Sequence, residues 1–225
     1  MTEEEQPSAT SYESTHVHAV YNAIAPHFSA TRHKPWPFVC TFLEGRPAGS
    51  IGLDVGCGNG KYLPVNPTLH ILGSDRSDEL VKLAHVERKG EVAVADGLDL
   101  PYPTGRFDFV ICIAVIHHFS TRQRRQQAIA TLLEHLRLSD DAQVLVYVWA
   151  LEQASSRRGW DQGSSQDTLV PWVMRAKGKP DETFQRYYHL YKEGELEEDV
   201  RAVGGKVVQA GYERDNWWVI CSRSS

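Results

Sequence analysis

The run Leu53-Asp54-Val55-Gly56-Cys57-Gly58-Asn59-Gly60 constrains this chain more than any other stretch. Ile51, Leu53 and Val55 form a short apolar run, and three glycines at alternate positions follow at once, the pattern of a buried strand ending in a tight turn. Glycine in such a turn lets backbone approach a ligand closely. A dinucleotide fingerprint requires Gly-x-Gly-x-x-Gly, so that a pyrophosphate sits on a helix N-terminus, and here the third glycine comes one position early. Asp54, two residues before the first glycine, would repel a pyrophosphate and welcome a cationic ligand.

Two later strands end the same way. Ile71-Leu72-Gly73-Ser74-Asp75 closes an apolar run with a carboxylate about 20 residues downstream, where an acid grips ribose hydroxyls in this architecture. Val92-Ala93-Val94-Ala95-Asp96-Gly97 repeats the pattern. A single acid of this kind would read as a helix cap; three at successive strand ends are hard to explain by packing. A longer apolar run, residues 107–115 with Ala114 near its end, suits a central strand buried on both faces. It delivers Ile116-His117-His118-Phe119 to the sheet's carboxyl edge, where open α/β sheets bind ligands.

Further strands are expected at residues 143–150 and in a closing hairpin of residues 206–212 and 217–221. Helices are expected at residues 15–25, stopped by Pro26, then at 38–44, briefly at 59–63, at 78–88 capped by Ser77 and Asp78, at 121–138, and at 193–203. Such alternation implies a parallel sheet with right-handed crossovers. Arg122, Arg124 and Arg125 oppose the dipole at the start of their helix, a mismatch with a possible functional cause. The stretch from about 151 to 192 reads as a polar, irregular insertion, the kind of segment where specificity resides.

With 225 residues and 41% hydrophobic content the chain can bury a sizeable core. It lacks any apolar run near the roughly 18 residues of a membrane span. Residues 1–14 are acidic and polar, unlike a signal peptide, and are expected to form a disordered tail ahead of one domain at 15–225. Cys40, Cys57, Cys112 and Cys221 are scattered, which suggests neither a disulfide framework nor a zinc knuckle, so no metal site is expected and a reducing compartment fits. A net charge of −5 argues against a uniformly basic nucleic-acid coat.

The motif Asp-x-Gly-x-Gly-x-Gly resembles the first motif of class I methyltransferases that use S-adenosylmethionine. The resemblance implies a three-layer, Rossmann-like α/β fold with a seven-stranded, mainly parallel sheet in the order 3-2-1-4-5-7-6, the last strand antiparallel. It also implies that Asp54 supports the cofactor's methionine end and that Gly56, Gly58 and Gly60 face its carboxylate and ribose. Asp75 would hold the ribose and Asp96 the adenine, with Cys57, Arg76, Gly97 and Ala114 as further cofactor contacts.

Residues 20–29, 31–37, 116–121, 186–196 and 215–218 carry a more specific likeness. These blocks, among them Arg32-His33-Lys34-Pro35-Trp36-Pro37 and Asp215-Asn216-Trp217-Trp218, are similar to signature blocks of the tRNA wobble-uridine methyltransferases that esterify 5-carboxymethyluridine at position 34. The likeness runs from about Tyr21 to the C-terminus and is weakest between Leu151 and Gly178. It implies in-line displacement by a carboxylate that is already ionised near neutral pH, so that no strong general base is needed and positioning dominates. Arg32 and Arg186 are the candidates for anion and phosphate contacts. His117 would hold the uracil or the carboxylate, or serve as a structural histidine. Trp36, Trp217 and Tyr187 would stack on a splayed-out base. Arg122, Arg124 and Arg125, with the insertion's Arg157, Arg158, Arg175, Lys177 and Lys179, would meet the anticodon stem-loop of the tRNA, unless the insertion is simply a solvated loop. The family also implies a small zinc-binding activator subunit, for which the open strand edge from Glu91 to Ala95 offers strand addition, and a cytoplasmic location, with the nucleus as a second compartment. A SAM-dependent enzyme acting on a small carboxylic acid, and a non-catalytic scaffold binding RNA or protein, remain as alternatives.

Overall fold

The apolar run after Arg106 becomes the middle of the sheet. Phe109–Ile113 forms β4, with every residue buried. Alternation along it sends Phe109, Ile111 and Ile113 to one face and Val110 and Cys112 to the other. Each face supports its own core, one with Val39, Phe42, Leu43, Tyr147 and Trp218, the other with Leu53, Ile129, Leu132, Leu196 and Val200. Two apolar faces on one strand require cover on both sides, hence three layers.

The structure, a computed structural model, describes residues 8–153, 160–161, 163–175 and 180–224. The remaining strands are β1 (Ile51–Val55), β2 (His70–Asp75), β3 (Glu91–Val94), β5 (Gln143–Trp149), β6 (Asp167–Met174), β7 (Glu182–His189), β8 (Gly205–Glu213) and β9 (Asn216–Arg223). Seven of them form one sheet in the order β3-β2-β1-β4-β5-β9-β8. The first five pair in parallel, and β9 runs antiparallel to both neighbours. The sheet order matches the expected one once β6 and β7 are set aside as a separate two-stranded unit. The order in which strands are added reverses between β1 and β4, which run parallel, the switch point at which such sheets open a crevice.

The helices are α1 (Ala9–Glu13), α2 (Ala19–Thr31), α3 (Pro37–Glu44), α4 (Asp78–Arg88), α5 (Arg122–His135) and α6 (Glu195–Ala202). No helix among the described residues is long and apolar enough to cross a membrane. Ser77 caps α4 as expected, accepting a hydrogen bond from Leu80 N.

Four local expectations are corrected. Residues 9–13 are helical, not a disordered tail, and continue through a π turn at Ser14–His18 into α2; residues 1–7 lie outside the described residues. The acid that suggested solvation, Glu13, is 1% exposed because Arg124 and Ser120 clasp it. Pro26 does not stop α2, which continues to Thr31. The turn beyond it buries Ser29, whose hydroxyl donates to Glu87, which offsets the one backbone hydrogen bond proline removes. Residues 59–63 are turns, since Gly58 and Gly60 both take positive φ, at 55° and 69°. The polar insertion holds an antiparallel hairpin, β6 against β7 over eight paired residues.

In β1 a Cβ on Gly52 would lie 2.1 Å from the Phe109 ring. Phe109 is fully buried and cannot swing aside. Gly52→Ala is expected to cost roughly 1–3 kcal/mol through overpacking, read as a lowered urea midpoint; an unchanged midpoint would show that the ring has room to yield.

Candidate active site

The carboxyl ends of β1, β2 and β4 open into a single deep cleft beneath α2. About 1400 Å³ of space lies within it, open solvent at its mouth included. Asp54, Gly56, Cys57, Gly58, Asp75, Arg76, Asp96, Gly97 and Ala114, all singled out from sequence, line its walls. Gly60 does not: a Cβ there would sit 3.0 Å from Ala84 and Leu63 side-chain atoms, so this glycine closes the turn against α4.

Asp54, the fourth residue of β1, is 1% exposed, and its Oδ2 has no hydrogen-bond partner among the described residues. Burial pushes its carboxyl up to about 7, against the pull of Lys61 and with a further push from Asp75. An ionised acid in such a place calls for a cation. Asp75 differs, because its oxygens accept from Gly58 N at 2.8 Å and Ser77 N at 2.9 Å. Burial still raises it, while those backbone donors pull it down. Gly56, at φ 74°, passes so close to β4 that a Cβ would lie 2.3 Å from Val115. Ala114 takes φ 61°, a conformation L-residues rarely hold, in the cleft wall. These features fit S-adenosylmethionine: an unpartnered buried acid for a cationic end, a pre-oriented acid for hydroxyls, and bare backbone where the ligand must come close.

The far side of the cleft is built by the α2 and β7 side chains. Arg186 lines it with its side chain nearly fully buried. Its guanidinium lies 4.7 Å from the Trp172 ring and 5.1 Å from Tyr188, with its Nε unpartnered. Among the described residues it forms no ion pair with any carboxylate. Arg32 reaches the same indole from the exposed end of α2, 5.2 Å from the ring. Trp36 also lines the cleft. The cleft therefore has an acid-walled end and a guanidinium-walled end.

Three predicted residues are placed elsewhere. His117 is fully buried one layer back, stacked on Tyr188 at 4.8 Å, its Nδ1 accepting from Trp149 N at 3.1 Å; burial drives it well below its ordinary value. Its neighbour His118 lines the cleft instead. Tyr187 points away, its hydroxyl donating to Asp167, and Tyr188 faces inward. Trp217 packs against the core beside Tyr212 and donates to Glu152 at 3.0 Å, outside the cleft. Strand parity explains the tyrosines, since neighbouring side chains on β7 face opposite sides. The sequence reading also missed Lys61, Tyr62 and Trp172. Lys61 follows the glycine turn directly and lies over Trp36 and Tyr62 at 5.2 and 4.9 Å; burial lowers it to about 8, although Asp54 holds it up.

The arginines at the start of α5 are internally engaged. Arg122 pairs with the fully buried Asp199 at 2.7 Å and with Glu198 at 2.9 Å, Arg124 pairs with Glu13 at 2.8 Å, and Arg125 is itself buried, donating to Phe119 O. These pairs offset their mismatch with the helix dipole, while Arg122 keeps 48% of its side chain exposed. In the insertion, exposed Arg175 pairs with Asp181 at 3.5 Å; Arg157, Arg158, Lys177 and Lys179 lie outside the described residues. Among the described residues no cluster of three His, Cys, Asp or Glu could hold a metal ion.

A family model described as "Methyltransferase domain" matches residues 53–138. A tRNA (carboxymethyluridine(34)-5-O)-methyltransferase of Schizosaccharomyces pombe is 48% identical over 228 residues, covering 95% of this chain and 98% of the relative. That of Saccharomyces cerevisiae is 45% identical, covering 96% and 98%. Among solved structures, an S-adenosylmethionine-dependent methyltransferase from Clostridium acetobutylicum superposes with a TM-score of 0.69 at 13% identity, covering 92% of this chain and all of the other; at that identity the likeness is one of fold.

The raised Asp54 carboxyl sets a stability prediction. Its folded value, about 7, exceeds the ordinary 3.8, so the folded state holds the proton more tightly. The resulting stabilisation is complete below about pH 4 and is lost as pH rises through 7. Asp54→Asn removes this dependence. The ligand-free variant should unfold later than wild type at pH 8, by up to about 4 kcal/mol, and lose that advantage near pH 4. A variant less stable than wild type at pH 8 would show that Asp54 is satisfied where it lies.

Proposed function

The chain belongs to the family of tRNA (carboxymethyluridine(34)-5-O)-methyltransferases, and from that membership and the charges of its cleft we propose that it methylates the carboxylate of 5-carboxymethyluridine at the tRNA wobble position, giving the methyl ester. One observation carries the reading. A buried guanidinium, Arg186, with no acidic partner among the described residues, shares a cleft with a buried carboxylate, Asp54, that has an unpartnered oxygen. The first calls for an anionic substrate and the second for a cationic cofactor.

S-adenosylmethionine, when bound, supplies an electrophilic methyl group on a sulfonium centre. Asp54 would accept its ammonium, Asp75 its ribose hydroxyls, and Asp96, Arg76 and Gly97 would flank the adenine, with Gly56, Cys57, Gly58 and Ala114 giving backbone at close range. Lys61, beside Asp54, suits the carboxylate of the same end. Arg186 would orient the nucleoside carboxylate, and Arg32, exposed at the cleft mouth, would take an adjoining phosphate. Tyr188 and Trp36 suit stacking on the uracil. A carboxylate is ionised near neutral pH, so the chain has only to align it and exclude water.

The test is mass spectrometry of wobble nucleosides after incubation with carboxymethylated tRNA. The methyl ester should form, and Arg186→Ala should slow its formation on the order of 100-fold while S-adenosylmethionine still binds. Esterification of free carboxylic acids but not tRNA would favour a small-molecule enzyme instead.

A small zinc-binding activator subunit docking on β3 completes the proposal. Among the described residues β3 pairs with β2 alone and leaves its other edge open, with Val94 49% exposed and Val86 of α4 74% exposed. A double substitution, Val86→Asp with Val94→Asp, should abolish co-purification of such a subunit; retained co-purification would move the docking site elsewhere.

A further inference from the structure

Tyr21 lies on α2, and its hydroxyl sits among three groups that line the cleft. It is 2.9 Å from His118 Nε2, 3.3 Å from the Tyr188 hydroxyl and 3.4 Å from Arg186 Nη1. Elimination fixes the direction of these bonds. The carbonyl of Tyr187 can only accept, so His118 Nδ1, 2.8 Å away, must carry a proton and donate it. Burial, with the positive charge of Arg186 nearby, pushes His118 down to about 3 even though that backbone bond opposes the shift. The ring is therefore neutral at physiological pH, and Nε2 is left as an acceptor. Tyr21 must give its proton to Nε2. What remains on its oxygen for Arg186 is lone-pair density alone.

That one-sided presentation matters because Arg186 has few other constraints. Its guanidinium is flanked by the rings of Trp172, Tyr188 and Tyr21, which hold it between faces without choosing which edge points where. A lone pair on one side engages one Nη, the Tyr188 hydroxyl also bonds the group, and the donors left over, Nε among them, have no partner among the described residues. We propose that Tyr21 is a positioning residue, turning the free donors of Arg186 into the cleft so that the site selects a carboxylate over the neutral carboxamide of the same shape.

The inference rests on the reading that the substrate is a nucleoside carboxylate. A carboxylate presents acceptors only, and it meets a buried cation that has no counter-ion among the described residues. A carboxamide brings no charge and can set an N–H against the guanidinium N–H groups, leaving buried polar atoms unpaired. Sites built on such hydrogen bonding discriminate far more strongly than apolar pockets do.

The experiment uses the full chain with the activator present. tRNA bearing 5-carboxymethyluridine is the substrate, and the same tRNA bearing 5-carbamoylmethyluridine is the competitor. Wild type should methylate the first, and the second should compete at least about 100-fold more weakly. Tyr21→Phe keeps the edge-on ring contacts to Phe28 and His118 and removes only the hydroxyl. It should leave S-adenosylmethionine affinity unchanged, lower the unfolding temperature slightly because the buried His118 Nε2 loses its donor, and raise KM for the carboxylate tRNA on the order of tenfold or more. Competition by the carboxamide tRNA should not change, so selectivity falls by the same factor. If the variant loses affinity for both tRNAs and for S-adenosylmethionine alike, the role is merely structural and the proposal is overturned. Equal competition by the two tRNAs against wild type overturns it without any variant. Failure of wild type to esterify the carboxylate tRNA would instead overturn the functional reading beneath it.

Discussion

The structure turns on a carboxylate kept away from water. Asp54 sits near the end of β1, 1% exposed, with one oxygen that no described residue satisfies. Leaving a buried acceptor unpaired costs folding free energy, and the surrounding architecture both imposes that cost and explains it. Strand β1 lies between β2 and β4 in the sheet, its Leu53 and Val55 side chains are locked into the core on one face, and the turn that follows has backbone conformations open to glycine. The acid is thereby held where a cationic ligand restores what burial removed.

The other end of the cleft repeats the device with opposite sign. Arg186 is buried among aromatic rings with no acid among the described residues to neutralise it, although the same fold supplies acids freely elsewhere. Arg122, Arg124 and Arg137 each have a carboxylate within 3 Å. The contrast separates structural arginines from one held ready for a ligand. It also accounts for the crowding of positive charge at the start of α5, where Arg124 ties down the N-terminal helix through Glu13 and Arg122 ties down α6 through Asp199.

Much of this was legible in the sequence. The Asp-x-Gly-x-Gly-x-Gly run, the acids at two later strand ends and the fully apolar β4 specify their own positions through local pattern, and they brought the sheet order with them. What local pattern could not carry was parity and distance. Arg186-Tyr187-Tyr188-His189 offers no alternation of apolar and polar residues, so its inward face is decided by pairing with β6 and by packing on α2. His118, not His117, faces the cleft for a similar reason, because the 3-10 turn that carries them sets which ring meets Tyr21. The acids that neutralise Arg124 and Arg122 lie 111 and 77 residues away in the chain, beyond the reach of any spacing argument. Pro26 reads as a stop only until the burial of Ser29 is known.

The central claim is that Asp54 is partly protonated in the free protein and becomes ionised against a cationic ligand. Calorimetric titration of S-adenosylmethionine at pH 7, repeated in buffers of different ionisation enthalpy, measures this directly. With a carboxyl near 7, binding should release about half a proton, and Asp54→Glu, which retains an acid, should keep a measurable release. Binding with no proton release in any buffer would mean that Asp54 is already charged before the cofactor arrives, and the account would fail.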